Sequence, residues 1–305
     1  MNTMTEAPSP SAHDSGPPEF EQTTLAEVAA LRKQIERITA TRKTGWLSTL
    51  ETRKLKELEF HNDHRTPGAQ ADQPKDVYEQ LYGNKKYYAT TALSGEYFES
   101  WIRNRCKDKI VLDYACGNGN NTRRAARAGA TLAIGLDISD VSVRNAQRAA
   151  AEEGLEQNIV FVQGDCEATG LPFSSVDVVI CVGMLHHLDL SFALPEIRRI
   201  LKPGGICFGL EALDYNPAIK LYRHLTPQMR TEWERAHILS YRDLRFMERF
   251  FDIRNVRHWH LLSIAGVKVP RLLPIFNWLD QRLLRLPGLK LMSWMFSFEM
   301  HKRVE

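Results

Sequence analysis

From Lys109 onward, short runs rich in β-branched and apolar residues alternate with stretches of helical periodicity. Strands that alternate with helices in this way predict a parallel sheet covered by helices on both faces. The expected strands are residues 110–114, 132–137, 159–163, 176–182 and 205–211, and the expected helices are residues 122–128, 141–153 and 194–201. The sequence therefore predicts an α/β fold with a doubly wound, Rossmann-like sheet, in which ligands bind beyond the carboxyl ends of the strands.

Composition and charge narrow the class of protein. The chain has 305 residues, 43% of them hydrophobic and 25% charged, which excludes a wholly disordered, collagen-like or coiled-coil protein. Its longest uncharged apolar stretch, residues 178–188, is shorter than the roughly 20 residues of a membrane-spanning helix, and residues 1–20 carry no secretory signal pattern. The five cysteines form no Cys-x-x-Cys pair, which indicates reduced thiols in a cytoplasmic protein rather than disulfides or a metal site.

The N-terminal part differs from the sheet region in composition and in the spacing of its apolar residues. Residues 1–20 contain four prolines and predict a disordered tail, and residues 21–75 predict a helical arm followed by a linker. The arm begins at a capping box, Thr24-x-x-Glu27, and continues in a helical style over residues 44–60. Its apolar stripe packs either on its own chain or on a second protomer, so a homo-oligomer formed through this helix stays open.

The first predicted strand leads into a glycine-containing loop, Asp113-Tyr114-Ala115-Cys116-Gly117-Asn118-Gly119. Glycines after a strand let the backbone turn tightly and approach a ligand closely. A dinucleotide-binding fingerprint requires a third glycine three residues later, but Thr122 stands there, which argues against a nicotinamide oxidoreductase. Asp113 is an acceptor that can hold an ammonium group, directly or through water.

Further acidic residues follow the next two strands. Asp137 ends the second strand, where a carboxylate can accept hydrogen bonds from both hydroxyls of a ribose. Asp165 follows the third strand, where a short acidic side chain can meet an adenine amino group. The fourth strand leads into His186-His187-Leu188, and the turn Leu201-Lys202-Pro203-Gly204-Gly205 feeds the fifth. No metalloprotease, serine-hydrolase or Walker motif is present.

The order and spacing of these motifs resemble the class I S-adenosylmethionine-dependent methyltransferases, most closely the small-molecule group related to the ubiquinone and menaquinone biosynthesis methyltransferases. The resemblance covers residues 77–215 well and the last ninety residues only loosely. One departure is Ala115, which stands where this family usually has glycine. A methyl group is tolerable there if φ is negative, so we expect a slightly altered loop that retains binding.

The resemblance implies a role for each residue at the strand ends. Residues 115–119 contact the methionine part of S-adenosylmethionine, Asp137 holds the ribose, and Ile138 packs on adenine. A tyrosine of the N-terminal lid, Tyr87 or Tyr88, covers the cofactor or is an ordinary helix aromatic. The implied cofactor-binding residues are Asp113, Ala115, Cys116, Gly117, Gly119, Asp137, Ile138, Asp165, Cys166, Val182, Gly183 and Tyr88.

Three residues are candidates for catalysis. Methyl transfer is an in-line displacement at a sulfonium carbon, and a general base is needed when the acceptor must lose a proton. His187 is the first candidate for that base because it follows the fourth strand, and His186 is the second. Glu211, at the end of the fifth strand, can orient an acceptor hydroxyl or pair with a basic neighbour. A structural role for either histidine also stays open.

The C-terminal part is basic. Residues 216–305 contain 16 Lys and Arg against 8 Asp and Glu, a net charge of +8, whereas the whole chain carries +3. Residues 222–242 predict a substrate cap, and residues 251–262 and 292–300 predict the sixth and seventh strands. The segment between them, residues 261–291, mixes leucine, proline and tryptophan with cations, which is typical of a pocket-closing insertion or of contact with a membrane surface. Its aromatic residues make no nucleic-acid platform.

We therefore expect an S-adenosylmethionine-dependent methyltransferase that acts on oxygen or carbon of a small hydrophobic or lipid-linked acceptor. The alternative is a scaffold that binds the cofactor and has lost its chemistry. The expected organisation is a tail at residues 1–20, an arm and linker at 21–75, a cofactor-binding core at 76–215 and a substrate cap with the last strands at 216–305. The sequence does not identify the acceptor.

Overall fold

The computed structural model describes residues 24–42, 45–66 and 75–304, so the predicted tail at residues 1–20 lies outside the described residues. One seven-stranded sheet with the order β3-β2-β1-β4-β5-β7-β6 forms the centre of the fold. Strands β1 to β5 are parallel, and β7 runs antiparallel to both of its neighbours, β5 and β6. The strands are β1 (Ile110–Tyr114), β2 (Leu132–Asp137), β3 (Ile159–Gln163), β4 (Val176–Val182), β5 (Leu201–Ala212), β6 (Asp252–Trp259) and β7 (Met295–His301). The predicted α/β sheet and all of its strands are confirmed.

Helices cover both faces of this sheet. They are α1 (Leu25–Arg42), α2 (Thr52–Arg65), α3 (Lys75–Tyr82), α4 (Lys85–Tyr88), α5 (Ala92–Arg105), α6 (Asn120–Arg127), α7 (Asp140–Glu152), α8 (Leu190–Ile200), α9 (Pro217–Leu225), α10 (Glu232–Ala236), α11 (Tyr241–Met247) and α12 (Leu273–Leu283). Short 3₁₀ turns, among them Trp46–Thr49 and Leu185–His187, join several of them.

The central strands are apolar throughout because both of their faces are buried. Every residue of β1 and β2 is buried, as expected for strands covered on two sides. Successive side chains point to opposite faces, so Leu112 belongs to one hydrophobic cluster and Val111 to the other. Two apolar layers, one on each side of the sheet, thus fix the strands whose ends form the site.

The N-terminal arm packs on its own chain. The capping box is present, since the Glu27 amide donates to the Thr24 hydroxyl and the Thr24 amide donates to the Glu27 carboxylate. Leu31 and Ile35 of α1 are buried in the same hydrophobic cluster as Leu112. Within the stretch expected to be helical over residues 44–60, residues 46–49 form a 3₁₀ turn and α2 begins at Thr52, while residue 44 lies outside the described residues.

The C-terminal part completes the sheet and adds a helical layer. Strands β6 and β7 lie where the sequence predicts them, and α9 to α11 occupy the predicted cap. None of the helices in the described ranges combines the length and the apolar character that crossing a membrane requires. Strands β5, β6 and β7 belong to one continuous sheet. The domain boundaries inferred from the sequence stay a prediction.

Candidate active site

A cavity of about 400 Å³ opens at the carboxyl ends of β1, β2 and β4. These ends meet at one edge of the sheet because the strands are parallel, and such an edge is where α/β proteins bind ligands. The sequence-predicted residues that line the cavity are Ala115, Cys116, Gly117, Asp137, Ile138, Asp165, Cys166, Val182, Gly183 and His187. Most of the predicted cofactor-binding set is therefore brought together around one space.

The loop after β1 turns through left-handed backbone. Gly117 has φ of 54° and Gly119 has φ of 72°, which glycine adopts without strain. A Cβ at Gly119 would lie 2.7 Å from the ring of Phe161 and 2.8 Å from Cβ of Ala146. Gly119 does not line the cavity, and its role is to let α6 start close to the sheet and α7.

Ala115 departs from the expectation for this loop. We expected a negative φ at Ala115, and this expectation is wrong. The residue has φ of 57° and lies in the left-handed region. A left-handed conformation costs a residue with a Cβ roughly 1–2 kcal/mol. The fold keeps this conformation because it lets the amide of the next residue, Cys116, donate a hydrogen bond to the carbonyl oxygen of Leu136 at 2.9 Å. The tight turn is thus preserved without glycine.

Asp137 is held rigidly at the mouth of the cavity. It is buried, and its two carboxylate oxygens accept hydrogen bonds from the amides of Gly117 at 2.7 Å and Ser139 at 2.9 Å. The Arg65 guanidinium of α2 lies 3.4 Å from the same oxygen that Gly117 contacts. The carboxylate therefore has a fixed orientation and retains acceptor capacity toward the cavity.

Asp113 lies behind the loop and not on the cavity wall. Its carboxylate is buried and accepts hydrogen bonds from the amide of Thr122 at 2.9 Å and from the Thr122 hydroxyl at 2.7 Å. Within the described ranges no ion pair reaches it. Burial raises the pKa of Asp113 to about 6, and the bonds from Thr122 only partly oppose this shift. The end of β1 thus carries a carboxylate that favours a nearby cation.

Helix α2 contributes a basic edge that the sequence analysis missed. The Lys54 ammonium lies 2.7 Å from Asp165 and 2.9 Å from Glu167, and Arg53 donates to both oxygens of Glu167 at 2.8 Å. Burial disfavours the charge of Lys54, but hydrogen bonds to Asp165 and Glu167 raise its pKa overall. The sequence signal for this edge was a set of polar residues on one face of a helix, most of them three or four residues apart: Arg53, Lys54, Glu57, His61 and Arg65.

The two adjacent histidines face different surroundings. Glu211 is fully buried, accepts hydrogen bonds from the amides of Met184 and Leu185 at 2.8 Å each, and lies 2.7 Å from Nδ1 of His186. Nε2 of His186 points toward Glu234 of α10, at 3.9 Å. His186 does not line the cavity. Together with Glu211 it forms a pair that links the sheet edge to the cap.

His187, in contrast, lines the cavity. Its Nδ1 lies 2.9 Å from an oxygen of Glu57 on α2. Neither lid tyrosine lines the cavity: Tyr88 packs on Trp294 with ring centroids 5.1 Å apart, and Tyr87 packs on Tyr222 at 5.6 Å. A lid role for either tyrosine stays a prediction.

The fold and this strand-end arrangement define a class. A sheet of seven strands with an antiparallel β7, a tight loop after β1 and acidic residues at the carboxyl ends of β1, β2 and β3 are the features of a class I S-adenosylmethionine-dependent methyltransferase domain. Residues 111–205 match a family model described as a methyltransferase domain. This part of the chain is therefore a methyltransferase domain of that class.

Curated relatives and solved structures agree with this class. The chain is 30% identical over 145 residues to a sterol 24-C-methyltransferase of Aspergillus fumigatus, covering 44% of this chain and 38% of the relative. It is 29% identical over 143 residues to the 27-O-demethylrifamycin SV methyltransferase of Amycolatopsis mediterranei, covering 43% of this chain and 52% of the relative. The match thus spans about half or less of these relatives.

Among solved structures, the geranyl diphosphate C-methyltransferase of Streptomyces coelicolor A3(2), in complex with Mg²⁺, geranyl diphosphate and S-adenosyl-L-homocysteine, superposes with a TM-score of 0.57. The two chains are 15% identical, and the superposition covers 84% of this chain and 99% of the other. At this identity the likeness establishes the fold, and it extends beyond the residues matched by the curated relatives.

The raised pKa of Asp113 predicts a pH-dependent effect of Asp113→Asn. In the unfolded chain this carboxyl ionises near pH 4, but in the folded chain it ionises only near pH 6. Ionised Asp113 therefore destabilises the folded wild type as pH rises from 4 to 6. We expect the unfolding free energy of Asp113→Asn, relative to wild type, to increase by on the order of 2–3 kcal/mol between pH 4 and pH 7.

Denaturant unfolding of both proteins at pH 4, 5, 6 and 7 measures this difference in unfolding free energy. The other carboxylates titrate in both proteins, so their contribution cancels when the two are compared. Asp177→Asn is the matched control, because Asp177 is equally buried but lies 3.2 Å from the ammonium of Lys202. The control should show no such increase. A difference for Asp113→Asn that stays constant or falls with pH would contradict the account.

Proposed function

We propose that this chain transfers a methyl group from S-adenosylmethionine to oxygen or carbon of a small hydrophobic acceptor. The observation that carries the proposal is the single cavity at the strand ends, which the loop after β1, Asp137 and Asp165 all line. A charged sulfur nucleoside presents hydroxyls, an amino group and an ammonium, and each of these requires an acceptor. Carboxylates at the carboxyl ends of three neighbouring strands supply such acceptors.

The cofactor assignment follows the order of the strand ends. Asp137 accepts from the ribose hydroxyls, since its two backbone hydrogen bonds fix it at the cavity mouth. Ile138 packs on adenine, and Asp165 with the Cys166 backbone receives the adenine amino group. The loop after β1 contacts the methionine part, with Asp113 behind it near the ammonium. Val182 and Gly183, which line the same cavity, would face the sulfonium.

Cofactor binding requires an exchange of partners at this edge. In the structure, Lys54 contacts Asp165 and Arg65 lies near Asp137. The contact of Arg65 with Asp137 is long, and Arg65 also donates to the Ser142 hydroxyl at 2.7 Å. The ribose hydroxyls can therefore replace this contact while Arg65 stays bonded to α7. Lys54 has a second partner in Glu167, so it too keeps a counter-ion.

The chemistry needs alignment more than activation. The sulfonium leaving group is already activated, and orientation alone contributes roughly 7–11 kcal/mol in well-aligned systems. A base that removes the acceptor proton adds a factor of about 10²–10⁴. His187 is one candidate because it lines the cavity, and His186 is the other because Glu211 orients its ring. A carboxylate that holds Nδ1–H leaves Nε2 free to accept a proton.

Two observations support the assignment of a hydrophobic acceptor. The relatives are named for a sterol and a rifamycin, and the structural neighbour is named for geranyl diphosphate, whose C10 chain is apolar although its diphosphate is charged. The chain itself exposes an apolar, basic surface in its C-terminal part, which suits an acceptor taken from a lipid phase.

Transfer of a labelled methyl group tests the proposal directly. Wild type incubated with methyl-labelled S-adenosylmethionine and a hydrophobic metabolite extract should label an apolar product. His186→Gln and His187→Gln distinguish the two bases, since loss of the base should lower turnover about 10²–10⁴-fold while cofactor affinity stays unchanged. His237→Gln, an exposed histidine stacked on Trp233, is the control. Cofactor binding without transfer to any fraction would favour the scaffold alternative.

We also propose that residues 268–290 contact an anionic membrane surface. Large apolar side chains here are exposed, with Ile275 at 55%, Trp278 at 53% and Leu286 at 52%. Five cations accompany them: Lys268, Arg271, Arg282, Arg285 and Lys290. Asp280, the one acidic residue of the segment, is buried and accepts hydrogen bonds from the amides of residues 261–263. Exposed apolar groups flanked by cations favour an anionic lipid interface.

Sedimentation with vesicles measures this contact. We expect the chain to bind vesicles containing phosphatidylglycerol more strongly than pure phosphatidylcholine vesicles, and to bind less at high salt because salt screens the attraction. Trp278→Ser should reduce binding several-fold. Phe192→Ser, which removes an equally exposed aromatic from α8, should leave it unchanged. Equal sedimentation with both lipids, or an equal effect of both substitutions, would contradict the proposal.

A further inference from the structure

Two histidines and a glutamate converge where α2 crosses the end of β4. Glu57 and His61 lie one helical turn apart on α2, so both project from the same side of that helix. His187 approaches them from the 3₁₀ turn after β4. All three line the cavity. We call Glu57, His61 and His187 the His–Glu cluster.

The distances within the His–Glu cluster suit a metal ion. One ligand atom from each residue lies within 4.8 Å of the other two. An oxygen of Glu57 is 2.9 Å from Nδ1 of His187 and 3.7 Å from Nε2 of His61. Ligands placed about 2.0–2.2 Å from one ion lie roughly 3–3.5 Å apart in tetrahedral or octahedral geometry. Side-chain movements of less than an ångström would therefore bring the three atoms to bonding distance.

Neighbouring groups orient the cluster. The Thr231 hydroxyl donates to the second oxygen of Glu57, and Arg53 donates to the His187 carbonyl at 3.3 Å. Such outer hydrogen bonds fix the direction of metal ligands.

We propose that Glu57, His61 and His187 bind a divalent transition-metal ion of the zinc type. Two imidazoles and one carboxylate form a donor set that zinc and its neighbours accept, whereas magnesium and calcium prefer sites made of oxygen atoms. Three protein ligands leave a coordination position for water or an acceptor oxygen. Sequence inspection missed this site because His187 lies more than a hundred residues from Glu57 and His61, and the three match no short motif.

A neighbouring set, formed by His186, His187 and Glu234, also meets the distance requirement. It is the weaker choice because Glu211 already engages Nδ1 of His186 at 2.7 Å and the Arg230 guanidinium lies 3.4 Å from Glu234. An ion in the His–Glu cluster would link α2 to the loop after β4. It would also occupy a nitrogen of His187, which leaves His186 with Glu211 as the acid–base pair.

Zinc titration of the full chain without cofactor tests this inference independently of methyl transfer. After removal of bound metal with a chelator, calorimetry with ZnCl₂ should report one site per chain, and Co²⁺ should give a visible absorption band of a low-symmetry site. His61→Ala and Glu57→Gln should each weaken binding at least tenfold. His237→Ala, outside the cluster, should bind like wild type. Circular dichroism of each variant confirms that it is folded.

The outcomes separate clearly. A single zinc site that is lost in both cluster variants and retained in His237→Ala would support the assignment. Absence of a stoichiometric site in wild type, or equal affinity in wild type and His61→Ala, would overturn it. Loss in Glu234→Gln with retention in His61→Ala would place the ion in the neighbouring set and would also overturn it. None of these results depends on whether the chain transfers a methyl group.

Discussion

The site depends on carboxylates buried at the ends of neighbouring parallel strands. Removing a charge from water is costly unless hydrogen bonds or counter-ions compensate, so each carboxylate fixes its surroundings. Asp137 ties the loop after β1 to the start of α7 through two amides. Asp165 and Glu167 attract Lys54 and Arg53 and thereby hold α2 over the cavity. Asp113 has hydrogen bonds from Thr122 but no ion pair within the described residues.

Helix α2 contacts both a residue proposed to bind the cofactor, Asp165, and a candidate base, His187. Its basic residues face the acidic strand ends, and its Glu57 contacts His187 and Thr231 of the cap. Any movement that lets a nucleoside reach Asp137 and Asp165 therefore also changes the environment of the candidate base. This coupling is physical, because one rigid helix carries all of these contacts. The N-terminal arm lies outside the residues of the matched family model, but its helix α2 lines the candidate site.

The sequence predicted the sheet and the cavity floor well because those features are local. Each strand is a short apolar run, and each candidate residue lies at or next to the end of its strand, as with Asp137, the last residue of β2. The left-handed Ala115 was not predictable, since a hydrogen bond to the next strand imposes it. The roles of α2 and the different directions of His186 and His187 arise from contacts across more than twenty, and often more than a hundred, residues. No local pattern reports such contacts.

Calorimetry of S-adenosylmethionine binding tests the central claim, that the carboxylates at the strand ends bind the nucleoside. Wild type and Asp140→Ala, which removes the partly exposed carboxylate at the start of α7, should bind with similar affinity. Asp137→Ala should bind about tenfold or more weakly, because hydrogen bonds to a charged group contribute roughly 1.5–3 kcal/mol. No heat with wild type, or equal affinity for all three proteins, would contradict the account.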